Sequence, residues 1–423
     1  MMLDFRAKKG KIKNTPNQKI FLTLFILLIF RFGNSIPLSG IDQEALQKSF
    51  LQLENRNAIM QIINMYSGGG NTILTPFSLG IIPFINASIL IDLLTAIFPF
   101  LEKLQSEEGE AGRKKLTFYK KIVTLVFAII QSGFLIFYLK SYFYNIDLFN
   151  LSIIGLELVT GSMMIVWLSS VIDNKGIGNG TSLIILTNIV VTLLSKEIIF
   201  GSFVNIFQGT TLIEILFLFF LTSLICISQT ARVNIEVVSA RQLAFLENIQ
   251  KNDFKDQKKK FLQTKETGLS IRLNQAGIFP IIIASNLIPL ASFFTENLVG
   301  PFKFLNSLLY YLLIIGFNYF YTIVFWDPEK ISEQLRKASV SVVNITPGKE
   351  TVSYLENVVR ATSIIGGIFL CGILVSYEIV KQLINGNLLN QINISSLIIV
   401  VGVAYELQKT VRALYKNELE DIT

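Results

Sequence analysis

Apolar residues in this chain come in long runs, and the polar residues fill the gaps between them. Ten runs stand out, at roughly 20–37, 77–100, 118–139, 151–172, 181–200, 212–230, 271–294, 305–325, 362–384 and 394–411. Each has about the length of helix that crosses a hydrocarbon core of about 30 Å. The weaker, alternating segments of a membrane β-barrel are not what the runs look like. The pattern predicts an all-α polytopic membrane protein of ten transmembrane helices with both termini on one side.

Two of the runs share a motif. Gly80-Ile81-Ile82-Pro83-Phe84-Ile85-Asn86-Ala87-Ser88 returns 197 residues later as Gly277-Ile278-Phe279-Pro280-Ile281-Ile282-Ile283-Ala284-Ser285, with six of nine positions identical in register. A proline inside a membrane helix removes a backbone hydrogen bond and tends to kink the helix. Gly and Pro are common in membrane helices, which would account for either copy alone. A matched pair, one in each half of the chain, points instead to a pathway between two repeats.

Charge sets the orientation. Thirty Lys and Arg lie outside the runs on the side holding the N-terminus, and six lie on the other. This asymmetry places both termini on the cytoplasmic side, or its organellar equivalent. The large basic-side segments are 230–272, which contains Lys258-Lys259-Lys260, and 327–360. Topology and solvated surface explain part of that charge. A docking arm for a large partner, ribosomal RNA included, would suit it as well.

Composition narrows the chemistry. Of 423 residues 51% are hydrophobic and 16% charged, against roughly 25% charged in soluble domains. The chain has no histidine and two cysteines, Cys226 and Cys371, both in apolar runs. There is thus no His-based triad, no His-ligated metal, no disulfide framework and no nucleophile–base constellation. No catalytic residue, metal or cofactor is expected, and no cleavable leader, because the first apolar run has no small-residue cleavage site. The ionisable residues read inside the runs are Arg31, Asp92 and Glu157, the last two without an evident partner. Between the first two runs, 57–75 carries a short apolar stretch ended by Gly68-Gly69-Gly70. It reads either as a half-helix folded back into a cavity or as a surface loop.

These residues resemble the SecY family, the pore subunit of the Sec protein-translocation channel, over nearly the whole chain. The resemblance is carried by Phe30-Arg31-Phe32-Gly33, Asn64-Met65-Tyr66-Ser67-Gly68-Gly69, Gly80 to Pro83 with Ala87-Ser88, and Glu108 to Lys114. It continues through Gly176-Ile177-Gly178-Asn179-Gly180-Thr181-Ser182, Asn274-Gln275-Ala276-Gly277, Phe320-Tyr321-Thr322 and Pro347-Gly348. It implies two inverted halves of five helices, 1–205 and 206–423, around a central pore. It also implies a lateral gate between the second and seventh helices.

Position by position, the resemblance implies a pore ring of Ile81, Ile85, Ile185, Ile189, Ile282 and Val401, and a plug at about 58–70 that includes Asn64, Met65, Tyr66, Ser67, Gly68 and Gly69. It sets gate positions at Pro83, Ser88, Gln131, Pro280 and Asn286. It sets partner docking at Arg232, Arg241, Lys258, Lys259, Arg336, Lys337, Pro347 and Gly348. The implied partners are a SecE-type small subunit, a SecG-type subunit, a SecA-type motor ATPase or a ribosome, signal-bearing preproteins and membrane lipids. The implied function is a passive channel that translocates unfolded preproteins and releases membrane segments sideways.

Two features depart from the family. Thr346 stands where an arginine is usual before Pro347-Gly348, and 252–265 looks private to this chain. The bias toward Ile, Phe, Leu, Asn and Lys resembles plastid-encoded members, which implies a thylakoid membrane, with a bacterial plasma membrane as the alternative. The competing function is a secondary transporter with inverted repeats, which would need intramembrane charges at a small-molecule site.

Overall fold

The computed structural model describes residues 15–46, 74–106, 108–144, 146–195, 209–239, 268–274, 277, 279–284, 303–343, 345–384, 389 and 392–422. In chain order its elements are α1 (Pro16–Gly33), α2 (Ile82–Ile97), α3 (Pro99–Ser106), α4 (Gly109–Tyr138), a 3-10 turn (Lys140–Tyr142), α5 (Leu148–Lys175), α6 (Gly180–Ser195) and α7 (Gly209–Thr230). They continue with β1 (Arg232–Ser239), β2 (Gly268–Arg272), α8 (Lys303–Phe325), α9 (Pro328–Lys337), β3 (Val340–Val342), α10 (Lys349–Ile384) and α11 (Ile394–Ile422). Residues 279–284 are also helical.

Among the described residues, seven helices are long and apolar enough to cross a membrane: α1, α4, α5, α7, α8, α10 and α11. α2 and most of α6 are apolar but shorter. Large apolar side chains stand exposed along these helices, among them Phe21, Phe134, Phe137 and Phe219. In water such a surface would aggregate; against acyl chains it is matched.

The chain forms two compact units, residues 1–195 with 403–423, and residues 196–402. In the first, α4 packs against α2 and α5, and α5 against α1 and α6. One of its cores is Leu38, Ile41, Leu74, Leu139, Ile154 and Leu158. In the second, α10 packs against α7 and α8. One of its clusters holds Leu221, Ile225, Ile281, Ile314, Leu370 and Ile398. Lipid is as apolar as leucine, so close packing and interhelical hydrogen bonds, rather than burial alone, select these pairings. One such bond runs from Asn318 Nδ2 on α8 to the Ser363 carbonyl on α10, at 2.6 Å.

Two local expectations are corrected. The prolines of the repeated motif start helices and do not kink them. Pro83 lies in the first turn of α2, where its missing N–H leaves no bond unmade. Pro280 is the second residue of the helical stretch 279–284. The second run also breaks at Phe98, whose extended backbone (φ −100°, ψ 113°) is what a residue before proline prefers.

The fold is also not purely helical. β1 pairs antiparallel with β2 and with β3, in the order β2-β1-β3. Alternation in Val233-Asn234-Ile235-Glu236-Val237 suits a strand with one face buried. Ile235, Ile271 and Val342 form that face and pack with Leu355 and Val359 of α10. The start of the seventh apolar run, Ile271, is therefore in a strand.

Candidate functional site

The two copies of the motif are built alike. Gly80 and Gly277 both have left-handed backbone, φ +58° and +64°, a conformation glycine adopts without the Cβ penalty. Each glycine carbonyl takes a side-chain hydrogen bond. Ser162 Oγ donates to Gly80 at 3.3 Å and Asn274 Nδ2 to Gly277 at 3.0 Å. Four residues before each glycine, a backbone carbonyl lies on a glycine of a long helix: Pro76 on Gly161 of α5, and Leu273 on Gly366 of α10. A Cβ at either helix glycine would collide with that carbonyl.

The ring positions lie where these turns end. Ile81 is the N-cap residue of α2 and Ile85 is one turn on; both are buried. Ile282, in the 279–284 stretch, is buried as well. Ile185 and Ile189 share a face of α6 and are buried. That helix begins on a dense set of caps. Asp173 accepts from Gly180 N at 2.7 Å, and Asn179 Oδ1 accepts from Thr181 N at 3.0 Å. Thr23 Oγ1 of α1 accepts from Ile177 N at 3.0 Å. Gly178 supplies a positive φ of +76°. Val401 is half-buried on α11 and packs against the cluster of the second unit. Ile81, Ile85, Ile185 and Ile189 thus belong to the first unit, and Ile282 and Val401 to the second.

At the gate positions, Pro83 and Pro280 are buried, and Ser88 and Gln131 half-buried. Ser88 sits in a charged cluster that the sequence did not bring together. Lys120 Nζ of α4 lies 2.8 Å from Asp92 Oδ1 and 3.0 Å from Ser88 Oγ on α2. Asp92 therefore has a partner. The signal was present: Ser88 and Asp92 are four apart on one helix face, and Lys120 opens the facing run. Glu157 is partnered too, accepting from Ser39 Oγ at 2.7 Å. Glu214 at the start of α7, which the run pattern passes over, is buried and accepts from Leu389 N at 3.1 Å.

Of the docking positions, Arg232, Arg336, Lys337 and Pro347 are exposed. Lys337 pairs with Glu333 at 3.0 Å, and that hydrogen bond holds the Glu333 carboxyl below its ordinary value. Gly348 has φ +118° just before α10. Thr346 donates to Glu350 at 2.6 Å, and its carbonyl accepts from Thr351 Oγ1 at 2.8 Å, so it secures the start of α10. The plug residues Asn64 to Gly69, together with Arg241, Lys258, Lys259 and Asn286, lie outside the described residues.

The family model for SecY matches residues 75–408. The chain belongs to the SecY family. It is similar to the protein translocase subunit SecY of Pyropia yezoensis, at 35% identity over 96% of this chain and 97% of the relative. The SecY of Guillardia theta is 34% identical, covering 95% of each chain. That of Synechocystis is 33% identical over 93% of this chain and 91% of the relative. Among solved structures, a protein-conducting channel matches with a TM-score of 0.65 at 13% identity, covering 97% of this chain and 95% of that one. Sec61 from a canine ribosome–channel complex matches at 0.62 and 14% identity, covering 97% and 95%. At those identities the structures speak to the fold. Membership of the SecY family makes this chain a multi-pass membrane protein that acts as the channel subunit of a protein translocase, and not an enzyme.

Proposed function

We propose that Ile81, Ile85, Ile185, Ile189, Ile282 and Val401 form the constriction through which an unfolded preprotein passes, and that α2 and the 279–284 helix are the two jaws of a lateral gate. The observation that carries this is the duplicated turn. Two segments 197 residues apart share a left-handed glycine, a bonded glycine carbonyl and a glycine seat on a long helix. Equivalent construction supports two halves of five spans each, 1–205 and 206–423, ten spans in all. In this reading the masses of branched apolar side chains seal by dewetting and yield to a polypeptide. The segment 58–70 is the plug, and Ser88, Gln131 and Asn286 are polar contacts at the gate seam.

The basic side faces the stroma of a plastid, with the protein in the thylakoid membrane. A ribosome or a SecA-type motor docks on Arg232, Arg241, Lys258, Lys259, Arg336, Lys337 and the Pro347-Gly348 turn, and SecE-type and SecG-type subunits complete the assembly.

The test is photocrosslinking from a probe at Ile85 in reconstituted membranes, with a secretory chain stalled in transit. A crosslink from Ile85, and none from the exposed Phe219, supports the ring. Intact translocation without a crosslink from Ile85 puts the constriction elsewhere.

A further inference from the structure

Three buried side-chain atoms in the second unit have no hydrogen-bond partner: Gln229 Nε2, Asn274 Oδ1 and Asn318 Oδ1. Their residues are 3%, 1% and 0% exposed, and a buried polar atom left unpaired is destabilising. Both asparagine amides are fixed in orientation by their other ends. Asn274 Nδ2 is bonded to the Gly277 carbonyl, and Asn318 Nδ2 to the Ser363 carbonyl. Turning either amide over to satisfy its oxygen would break a good bond.

Each of the three residues is linked to Leu273 through a chain neighbour or a shared contact. Asn274 follows it. The Leu273 N–H donates to the Ala231 carbonyl at 3.0 Å, two residues from Gln229. The Leu273 carbonyl rests on Gly366, and Asn318 Nδ2 is 3.3 Å from the point a Cβ on that glycine would occupy. One donor and two acceptors are the complement of a single water molecule, which accepts from the first and donates to the others. Buried waters characteristically make about three such bonds to groups otherwise left unpaired.

We propose that Gln229, Asn274 and Asn318 form a hydration site holding one ordered water. It joins the end of α7, the middle of α8 and the turn that opens the 279–284 helix. The first copy of the motif has no equivalent set among the described residues, since the unpaired buried atoms all belong to the second unit. The site follows from burial and hydrogen bonding, so it stands whether or not the neighbouring helix is a gate. A bridging water fixes three backbone segments while leaving each bond easy to remake with bulk water.

Two measurements test it. Cryo-EM of the intact translocase, at a resolution that shows ordered water, will place a density in hydrogen-bond reach of Asn274 Oδ1 and Asn318 Oδ1. A well-ordered map with nothing there overturns the site. Separately, Gln229→Met keeps the side chain's length and removes the donor. A bound water makes this substitution lower the thermal midpoint of the purified protein by about 1–2 °C. An unchanged or raised midpoint means that the donor was unpaired in a dry pocket, and overturns it too.

Discussion

Gly161 and Gly366 are counterparts: each is the point on a long helix where the backbone four residues ahead of a left-handed glycine comes to rest, Pro76 on the one and Leu273 on the other. Both seats place main chain against main chain, so a neighbour cannot swing aside as a flexible side chain could. Gly161→Ala and Gly366→Ala will each destabilise the protein by about 1–3 kcal/mol, the usual penalty for overpacking. Gly372→Ala on the same helix as Gly366, and Gly133→Ala on α4, have open space around the new methyl and will be neutral or slightly stabilising. Thermal unfolding in one detergent compares all four.

Lys120 acts as a tie between α4 and α2 through Asp92 and Ser88. Its ammonium and the carboxylate are partly exposed, so the pair is worth about 0.5–1 kcal/mol. If α2 is a gate jaw, Lys120→Met or Asp92→Asn will raise transport of preproteins with weak signal sequences roughly two- to fivefold, which is what that energy amounts to. The reversed pair, Asp92→Lys with Lys120→Asp, will return transport towards the original level. A translocation assay with signals of graded hydrophobicity reads both.

Ile85→Gly and Ile282→Gly remove branched side chains from the proposed constriction. Each will increase ion leak through the resting channel in planar bilayers, whereas Phe219→Gly on an exposed face will not. Unchanged conductance in both isoleucine variants would remove them from the ring.

Glu214 fixes the Leu389 N–H from inside the second unit, next to Tyr377, whose hydroxyl donates to the carbonyls of Leu389 and Ile392. Glu214→Leu leaves that N–H buried and unpaired, at a cost of about 1–3 kcal/mol. Glu214→Gln retains an acceptor and will cost less. Unfolding midpoints of the two variants give the order.

Much of this could be read from residue order, because lipid imposes a simple rule on length and polarity. Most of the described residues in the apolar runs are helical, and the repeated nonapeptide marked both left-handed turns. The misreadings are local. Pro83 was expected to bend a helix, but hydropathy averages over a run and cannot say where inside it the helix begins. The strand Arg232–Ser239 was hidden in a segment read for its charge alone. The Asp92–Lys120 pair escaped because Lys120 was counted as loop charge, although in three dimensions a long lysine reaches back along its helix to a carboxylate on the neighbour. Glu214 sits only two residues inside its run, where an acidic residue looks like a boundary.

The small sheet has a mechanical side. β1 is bonded on one edge to β2 and on the other to β3, so the stretches before and after α8 share a strand. β2 ends at Arg272, and only a few residues separate it from Gly277. Paired strands slide or tilt but do not stretch. A load applied to β1 or β3 is therefore shared by all three strands.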